Sequence, residues 1–306
     1  MIFIDLIKKY NKELHPEFEK IFELGLKNQY YHTDLLLWKI NGSFQENLVE
    51  AKPSKEKKWN THVIGPGIEG FSDQTHYDFI NQYRQSNVSK YSYDEYLKKV
   101  TYDPENIEEI DKLIHFESTS IQIEMLIYLK IWEADLMIKK MYELTRILNG
   151  ESYNWYFKVA ESSRDKNSNG TRQDIIRKLV RDKLSDSSPF LQEWISNIYK
   201  TQIRNSIAHS NYAIIGRNIN LNNFIKDDPA SQLHSLQFDE WHDIFHKLIV
   251  LHNQYIWLAN TVNEYYASKV LSGEVIDILI SERDGNQYSY ELEYRAEYKD
   301  WSYKQT

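Results

Sequence analysis

From about residue 105 to 149, apolar side chains recur at helical spacing, and between Ile121 and Ile138 they occupy nearly every face of the helix they specify. A helix that is apolar all round belongs in the middle of a packed domain. The chain supplies neighbours for it. Residues 238 to 267 show a seven-residue alternation of Trp241, Phe245, Leu248, His252, Tyr255, Ala259 and Val262. Residues 2 to 24 repeat Leu6, Ile7, Tyr10, Leu14, Phe18, Ile21 and Phe22 near helical spacing. Only 10 glycines and 6 prolines interrupt 306 residues, and 41% hydrophobic content is enough to fill a sizeable core. These features predict a mainly α fold.

The punctuation divides the chain further. Pro16 predicts a split of the first region into two helices. From about 41 to 76, Asn41-Gly42, Lys52-Pro53 and Gly65-Pro66-Gly67 are turn chemistry, and Lys52, Lys55, Lys57 and Lys58 form a charged cluster, so an irregular segment is expected. Short helices are expected at 76 to 86 and 92 to 100, the second capped by Ser92 with Glu95 three residues on. After the stop at Asn149-Gly150, a short aromatic helix (Tyr153, Trp155, Tyr156, Phe157) should run into a polar, disordered loop over 162 to 170. Thr171 with Asp174 then caps a helix carrying Arg172, Arg177, Lys178, Arg181 and Lys183 against Asp174 and Asp182. Ser188-Pro189 starts the next helix, which carries Leu191, Ile195, Tyr199, Ile203 and Ile207 at steps of four. Tyr212 to Leu221 reads as a β-hairpin turning at Gly216-Arg217-Asn218. A second hairpin turns at Asp284-Gly285, between Ile276, Ile278, Ile280 and Tyr288, Tyr290, Leu292, Tyr294. Three regions follow: 1–104, helical and irregular; 105–267, a helical domain; and 268–306, a β-hairpin extension.

Composition narrows the chemistry. With no cysteine, disulfides and thiolate metal sites are excluded. The N-terminal apolar run is broken by Asp5 and is too short for a signal peptide, and no later run spans a bilayer, so a cytoplasmic protein with no membrane partner is expected. A net charge of −8 opposes indiscriminate binding to polyanions, so any RNA contact must be local. The helix with Arg172, Arg177, Lys178 and Arg181 is the most basic of the expected helices and is the candidate for guiding such a substrate; a plain solvated face is the other reading.

Arg204-Asn205-Ser-Ile-Ala-His209 brings a fixed cation, an amide and an imidazole into one short stretch. Arginine forks onto phosphate oxygens, and histidine accepts and donates a proton near neutral pH, so these are the parts that phosphodiester cleavage needs. Asn205 and His209 are four residues apart and share a helical face, whereas Arg204 and His209 are about 140° apart around an ideal helix. A single helix therefore makes an incomplete site, and a two-fold dimer would bring two Arg/Asn/His sets into one cleft. His209 lies near the stripe of Leu191 and Ile195 and is expected to point toward a packed surface.

Arg204-Asn205-x3-His209 resembles the signature of the HEPN superfamily, an arginine followed by a polar residue and then a histidine. The resemblance covers roughly residues 115 to 267 and implies a HEPN-like helical bundle, to which the N-terminal helical region and small β-hairpins are additions. It further implies a homodimeric, metal-independent endoribonuclease with Arg204, Asn205 and His209 at its centre, acting on RNA without a cofactor. Members often serve as toxins or in antiviral defence, a setting that brings an inhibitor or antitoxin partner; others have lost catalysis and act in binding. Some branches place an acidic residue before a lysine on an earlier helix, which Asp135-x3-Lys139-Lys140 matches loosely, as would an ordinary salt bridge. A tyrosine two residues past the histidine marks a further subset, whereas Tyr212 is three past His209.

One alternative constellation is His242-x3-His246, spaced for two Zn²⁺ ligands on a helix, but with Asp243 where a zinc hydrolase carries Glu and with no third ligand evident from spacing. The stretch Ile64-Gly-Pro-Gly-Ile-Glu-Gly70 could present amides to an anion but lacks the Lys-Ser or Lys-Thr of a phosphate loop, which leaves a plain turn as the other reading.

Overall fold

The computed structural model of the chain describes residues 1–46, 48, 60–65, 67–162 and 165–304. The expected lysine cluster at Lys52, Lys55, Lys57 and Lys58 lies outside the described residues. The protein is mainly α, with 57% of its residues helical and a few small sheets. The helices are α1 (Ile4–Asn28), α2 (Asp34–Ile40), α3 (Gly67–Ser86), α4 (Tyr93–Lys99), α5 (Ile107–Glu133), α6 (Asp135–Leu148), α7 (Arg172–Asp174), α8 (Pro189–Ile198), α9 (Thr201–Ala208) and α10 (Phe238–Leu271). Helix α7 continues as a π-helical run Ile175–Arg181 and a 3₁₀ turn Asp182–Ser185. Strands β1 (Ser43–Phe44) and β2 (His62–Val63) pair with each other. Strands β3 (Tyr212–Ile215), β4 (Asn218–Leu221) and β5 (Ser235–Gln237) form one antiparallel sheet. Strands β6 (Ile276–Ser281), β7 (Gln287–Arg295) and β8 (Asp300–Tyr303) form another. Both expected hairpins are present, each with a third strand added. The chain divides into two compact units.

The first unit comprises Met1–Glu17, Gln74–Ala134 and Phe190–Gln254. Phe3, Leu14, Ile121, Tyr128, Leu191, Ile195, Trp241, Phe245 and Leu248 are all buried in its core. Glu124 is buried at its centre, where it accepts from Trp241 Nε1 at 2.7 Å and from the Tyr83 hydroxyl at 2.7 Å, with the Met1 amino group on the same carboxylate. Pro16 does not split α1. Its ring is on an exposed face while Leu14 and Phe18 beside it are buried, so packing holds the helix through the missing hydrogen bond. Ser92 and Glu95 form the expected capping box on α4.

The single helix expected after Pro189 is two helices. Between α8 and α9, Lys200 adopts an extended backbone. The hydroxyl of buried Tyr128 enters the gap, donating to the Ile198 carbonyl at 3.0 Å and accepting from Lys200 N–H at 3.3 Å. A long-range side chain thus takes over backbone groups that a continuous helix would have paired itself. The stripe Leu191, Ile195, Tyr199, Ile203, Ile207 is still buried throughout. Tyr128→Phe, which strands both groups, should destabilise this unit by about 1–3 kcal/mol in urea unfolding.

The second unit comprises Phe18–Asp73, Asp135–Pro189 and Tyr255–Thr306. Here α2 packs on α6, with Trp38 Nε1 donating to the Lys140 carbonyl at 2.8 Å. Residues 153–157 are not the expected helix. Tyr153 and Trp155 are buried in alternation with less buried neighbours, the Trp155 carbonyl accepts from Phe44 N–H at 2.8 Å, and Phe157 N–H donates to Asn154 O at 3.3 Å, so the aromatic run is an irregular segment with a turn at 155–156. Gly42 is confined to glycine, because a Cβ there would lie 2.6 Å from Leu37 and 2.7 Å from Trp155. Its carbonyl accepts from Lys139 Nζ at 2.5 Å and Tyr153 Oη at 2.8 Å. The polar loop after residue 157 is tied where it is described: Asn169 N–H donates to Lys158 O and Ala160 N–H to Gly170 O, each at 2.8 Å.

Burial pushes the Asp34 carboxyl up to about 6 and the Glu143 carboxyl up to about 8. A carboxyl raised in this way favours the folded state while protonated; that contribution is complete below the unfolded value and disappears as pH rises through the folded one. Stability should therefore fall as pH climbs from about 4.5 to about 8. Glu143→Gln should flatten the upper part of that decline in a series of urea midpoints against pH, because the amide oxygen can still accept from Asn154 N–H, 3.1 Å from the native carboxylate.

Candidate active site

Helix α9 carries the Arg/Asn/His motif in the first unit, and its buried side is fixed from several directions. Gln202, Ile203, Ser206 and Ile207 are buried. Gln202 Nε2 donates to Leu233 O at 2.8 Å while its Oε1 accepts from Leu233 N–H at 2.9 Å. Ser206 Oγ donates to Asn211 O at 2.5 Å, and Asn211 N–H returns a bond to Ser206 O at 2.7 Å. This exchange closes the helix end, with Ser210 in the left-handed region at φ 51°. Asn222 N–H then bonds Asn211 O at 3.0 Å, which ties the β3–β4 hairpin to that turn.

Because 202, 203, 206 and 207 face inward, 204, 205 and 208 face outward on a 3.6-residue period. Arg204 and Asn205 are half-buried, and Ala208 and His209 are exposed. His209 forms the helix C-cap, its N–H donating to Asn205 O at 3.1 Å. Its ring has no hydrogen bond among the described residues. The break at Lys200 separates α9 from the helix carrying Leu191 and Ile195, and the imidazole is exposed on its own chain.

Arg204 is already engaged. Its Nε donates to Glu133 Oε1, and its Nη1 donates to Asn205 Oδ1 at 2.8 Å. The hydrogen bond to Glu133 holds the guanidinium above its ordinary pKa, against partial burial. So the structure brings Arg204 and Asn205 together and adds Glu133, the last residue of α5, to the group. Among the described residues no side-chain hydrogen bond joins either of them to His209. Sequence spacing could not nominate Glu133, which is 71 residues from its partner.

The basic residues at 172–181 belong to the second unit. Arg172 Nε donates to Asp135 Oδ1 at 2.8 Å, Lys178 pairs with Asp174 at 2.8 Å, and Arg181 pairs with Asp182 at 2.7 Å. Arg177 is within the field of Asp174. Each of these three pairs would have to exchange before its cation met a phosphate.

His242 and His246 are fully buried in the first unit. His242 Nε2 donates to Glu117 Oε1 at 2.9 Å. His246 Nδ1 donates to the His242 carbonyl at 2.7 Å, leaving Nε2 to accept from Phe3 N–H at 2.9 Å. Burial lowers both imidazole pKa values, which keeps the rings neutral. Three of their ring nitrogens are thus committed to packing bonds while His242 Nδ1 is buried without one, and among the described residues no three His, Asp or Glu side chains gather around a common point. The spacing that suggested a metal helix instead serves the interior.

Glu117 also takes both arms of Arg217, from Nε at 3.0 Å and Nη2 at 2.9 Å, and Arg217 Nη2 reaches Asp239 at 2.7 Å. Tyr93 donates to the same Asp239 oxygen at 2.9 Å. Burial alone would raise the Glu117 carboxyl, but the bonds from His242 and Arg217 reverse this and hold it below its usual value. Among the described residues, no helix is long and apolar enough to cross a membrane. Comparison with protein-family models, with curated proteins and with solved structures gives no match.

Proposed function

We propose that this chain is a metal-independent endoribonuclease of HEPN type, working at a composite site in a homodimer, as a toxin or antiviral defence effector. The observation that carries this reading is the orientation of α9: four buried residues hold it so that Arg204, Asn205 and His209 all face outward. An imidazole exposed and without a hydrogen bond among the described residues, and an arginine held by Asn205 and one exchangeable carboxylate among them, are suited to meeting a substrate. No hydrogen bond among the described residues joins the two on one chain, and a second copy of α9 across a two-fold axis would supply the missing convergence.

In this reaction His209 takes the proton from the ribose 2′-hydroxyl, or gives one to the leaving 5′-oxygen. Arg204, exchanging Glu133 for phosphate, stabilises the charge that develops on the phosphoryl oxygens. Asn205 orients that guanidinium through its 2.8 Å bond. The products carry a 2′,3′-cyclic phosphate and a 5′-hydroxyl, and DNA is refused because it lacks the nucleophile.

The second reading, a non-catalytic RNA or protein interaction module, is favoured by the ion pair that occupies Arg204. Incubation of the full chain with end-labelled RNA, with and without EDTA, separates the two. The nuclease gives EDTA-resistant cleavage with cyclic phosphate ends from a species of twice the chain mass in light scattering. Intact RNA supports the module, and cleavage abolished by EDTA rejects both.

A further inference from the structure

A cavity of about 350 Å³ opens in the second unit, where the end of α2, helix α6 and the β7–β8 edge come together. Its size is at the lower end of the range for small-ligand sites. Two lysines line it, Lys39 from α2 and Lys140 from α6. They are brought there by the packing of α2 on α6, in which Trp38, the residue before Lys39, donates to the Lys140 backbone carbonyl. The far wall is held by Asn41, in the left-handed region at φ 52°, whose Nδ2 donates to Gly65 O at 3.2 Å, while Gly65 N–H donates to Ile40 O at 2.7 Å.

The charges in this cavity do not balance. Arg295 is occupied by Asp300 through two bonds, Nε to Oδ1 at 2.9 Å and Nη2 to Oδ2 at 2.6 Å, so of the three cations in the lining it is the one held by a carboxylate fork. Asp73 is the remaining carboxylate of the lining, against two ammonium groups. Neither Lys39 nor Lys140 donates a hydrogen bond to any described residue, although both are half-buried. Burial lowers the pKa of each amine, that of Lys39 is lowered further by Lys140, and these effects outweigh the opposite pull of Asp300 on Lys39 and of Asp73 on Lys140. Two desolvated like charges facing one cavity are costly unless something of opposite charge joins them. Ile40, Ile64 and Leu136 give the cavity an apolar side, which suits the body of an organic ligand better than a bare ion.

We infer that this cavity binds a small phosphate-bearing molecule, its oxyanion held between the Lys39 and Lys140 ammonium groups and its body resting on Ile40, Ile64 and Leu136. A phosphate monoester is a dianion at neutral pH and so answers both amines at once, which a single carboxylate would not. The site involves none of the residues assigned to RNA cleavage, so the two readings stand or fall separately.

Pyridoxal 5′-phosphate, an aldehyde bearing a phosphate, is a direct probe on the full wild-type chain. After borohydride reduction, peptide mass spectrometry reports which lysines it has reached. Lys39 or Lys140 should be modified ahead of the surface lysines, and inorganic phosphate should protect that position while equal ionic strength of chloride does not. Uniform labelling across the lysines, or selective labelling that phosphate leaves unchanged, overturns the inference. As a second measurement, Lys39→Met and Lys140→Met should each weaken calorimetric binding of inorganic phosphate by about ten- to a hundredfold. Unaltered phosphate affinity in folded variants also overturns it.

Discussion

Glu117→Ala should cost the protein about 3–5 kcal/mol of unfolding free energy, the largest stability loss expected from any single substitution in the first unit. The carboxylate is fully buried and is the common acceptor for both arms of Arg217 and for His242. Truncation leaves the guanidinium with Asp239 alone and leaves the buried His242 Nε2–H without a partner. It also unpins the turn between β3 and β4, where Arg217 lies, from α5. The measure is the urea midpoint and slope for wild type, Glu117→Ala and Glu117→Gln. The glutamine variant should recover part of the loss, since its oxygen can still accept one arm of Arg217. A loss below about 1 kcal/mol in Glu117→Ala would mean that water, and not this network, satisfies the interior groups.

That network also shows where the sequence stops being informative. The helical periods were legible in part: the stripe through Trp241, Phe245, Leu248, Tyr255 and Val262 is interior, but the one helix expected over Ile121 to Ile138 is two, α5 ending at Glu133 and α6 starting at Asp135 with Ala134 extended between them. So were the hairpins at Gly216 and Asp284-Gly285, because their turn chemistry and period of two are local properties. What failed was decided by contacts far along the chain. The break between α8 and α9 depends on Tyr128, 72 residues from Lys200. The aromatic run at Tyr153 to Phe157 is a turn and not a helix, because Asn154 takes the N–H groups of Tyr156 and Phe157 and the Trp155 carbonyl is claimed by Phe44, a residue far back along the chain. His242 and His246 have a metal-binding spacing, but the interior partners Glu117 and Phe3 that claim them are invisible to spacing. The motif at 204–209 was legible as a cluster of residue types, whereas its outward orientation followed only from the burial of Gln202, Ile203, Ser206 and Ile207.

His209→Ala should lower the rate of RNA cleavage by about 10²–10⁴-fold while leaving unfolding free energy within about 0.5 kcal/mol of wild type. The pairing of these two outcomes gives the test its force. The imidazole is exposed and has no hydrogen bond among the described residues, so its removal should disturb no packing and strand no partner. A histidine whose only role is to end α9 would lose neither rate nor stability on truncation, since its backbone N–H makes the cap. Arg204→Ala should cost about 10²–10³-fold in rate, by analogy with loss of one charge-stabilising donor from a preorganised site. It should also cost a small amount of stability, because Glu133 is then left without its guanidinium at a half-exposed position. If both residues act in one step, the double variant should be scarcely slower than the worse single variant. Rates on labelled RNA, read beside urea midpoints for the same preparations, decide the matter. Cleavage that survives in His209→Ala, or that declines only in proportion to lost folded protein, would remove this pair from the chemistry and leave α9 a helix with a polar outer face.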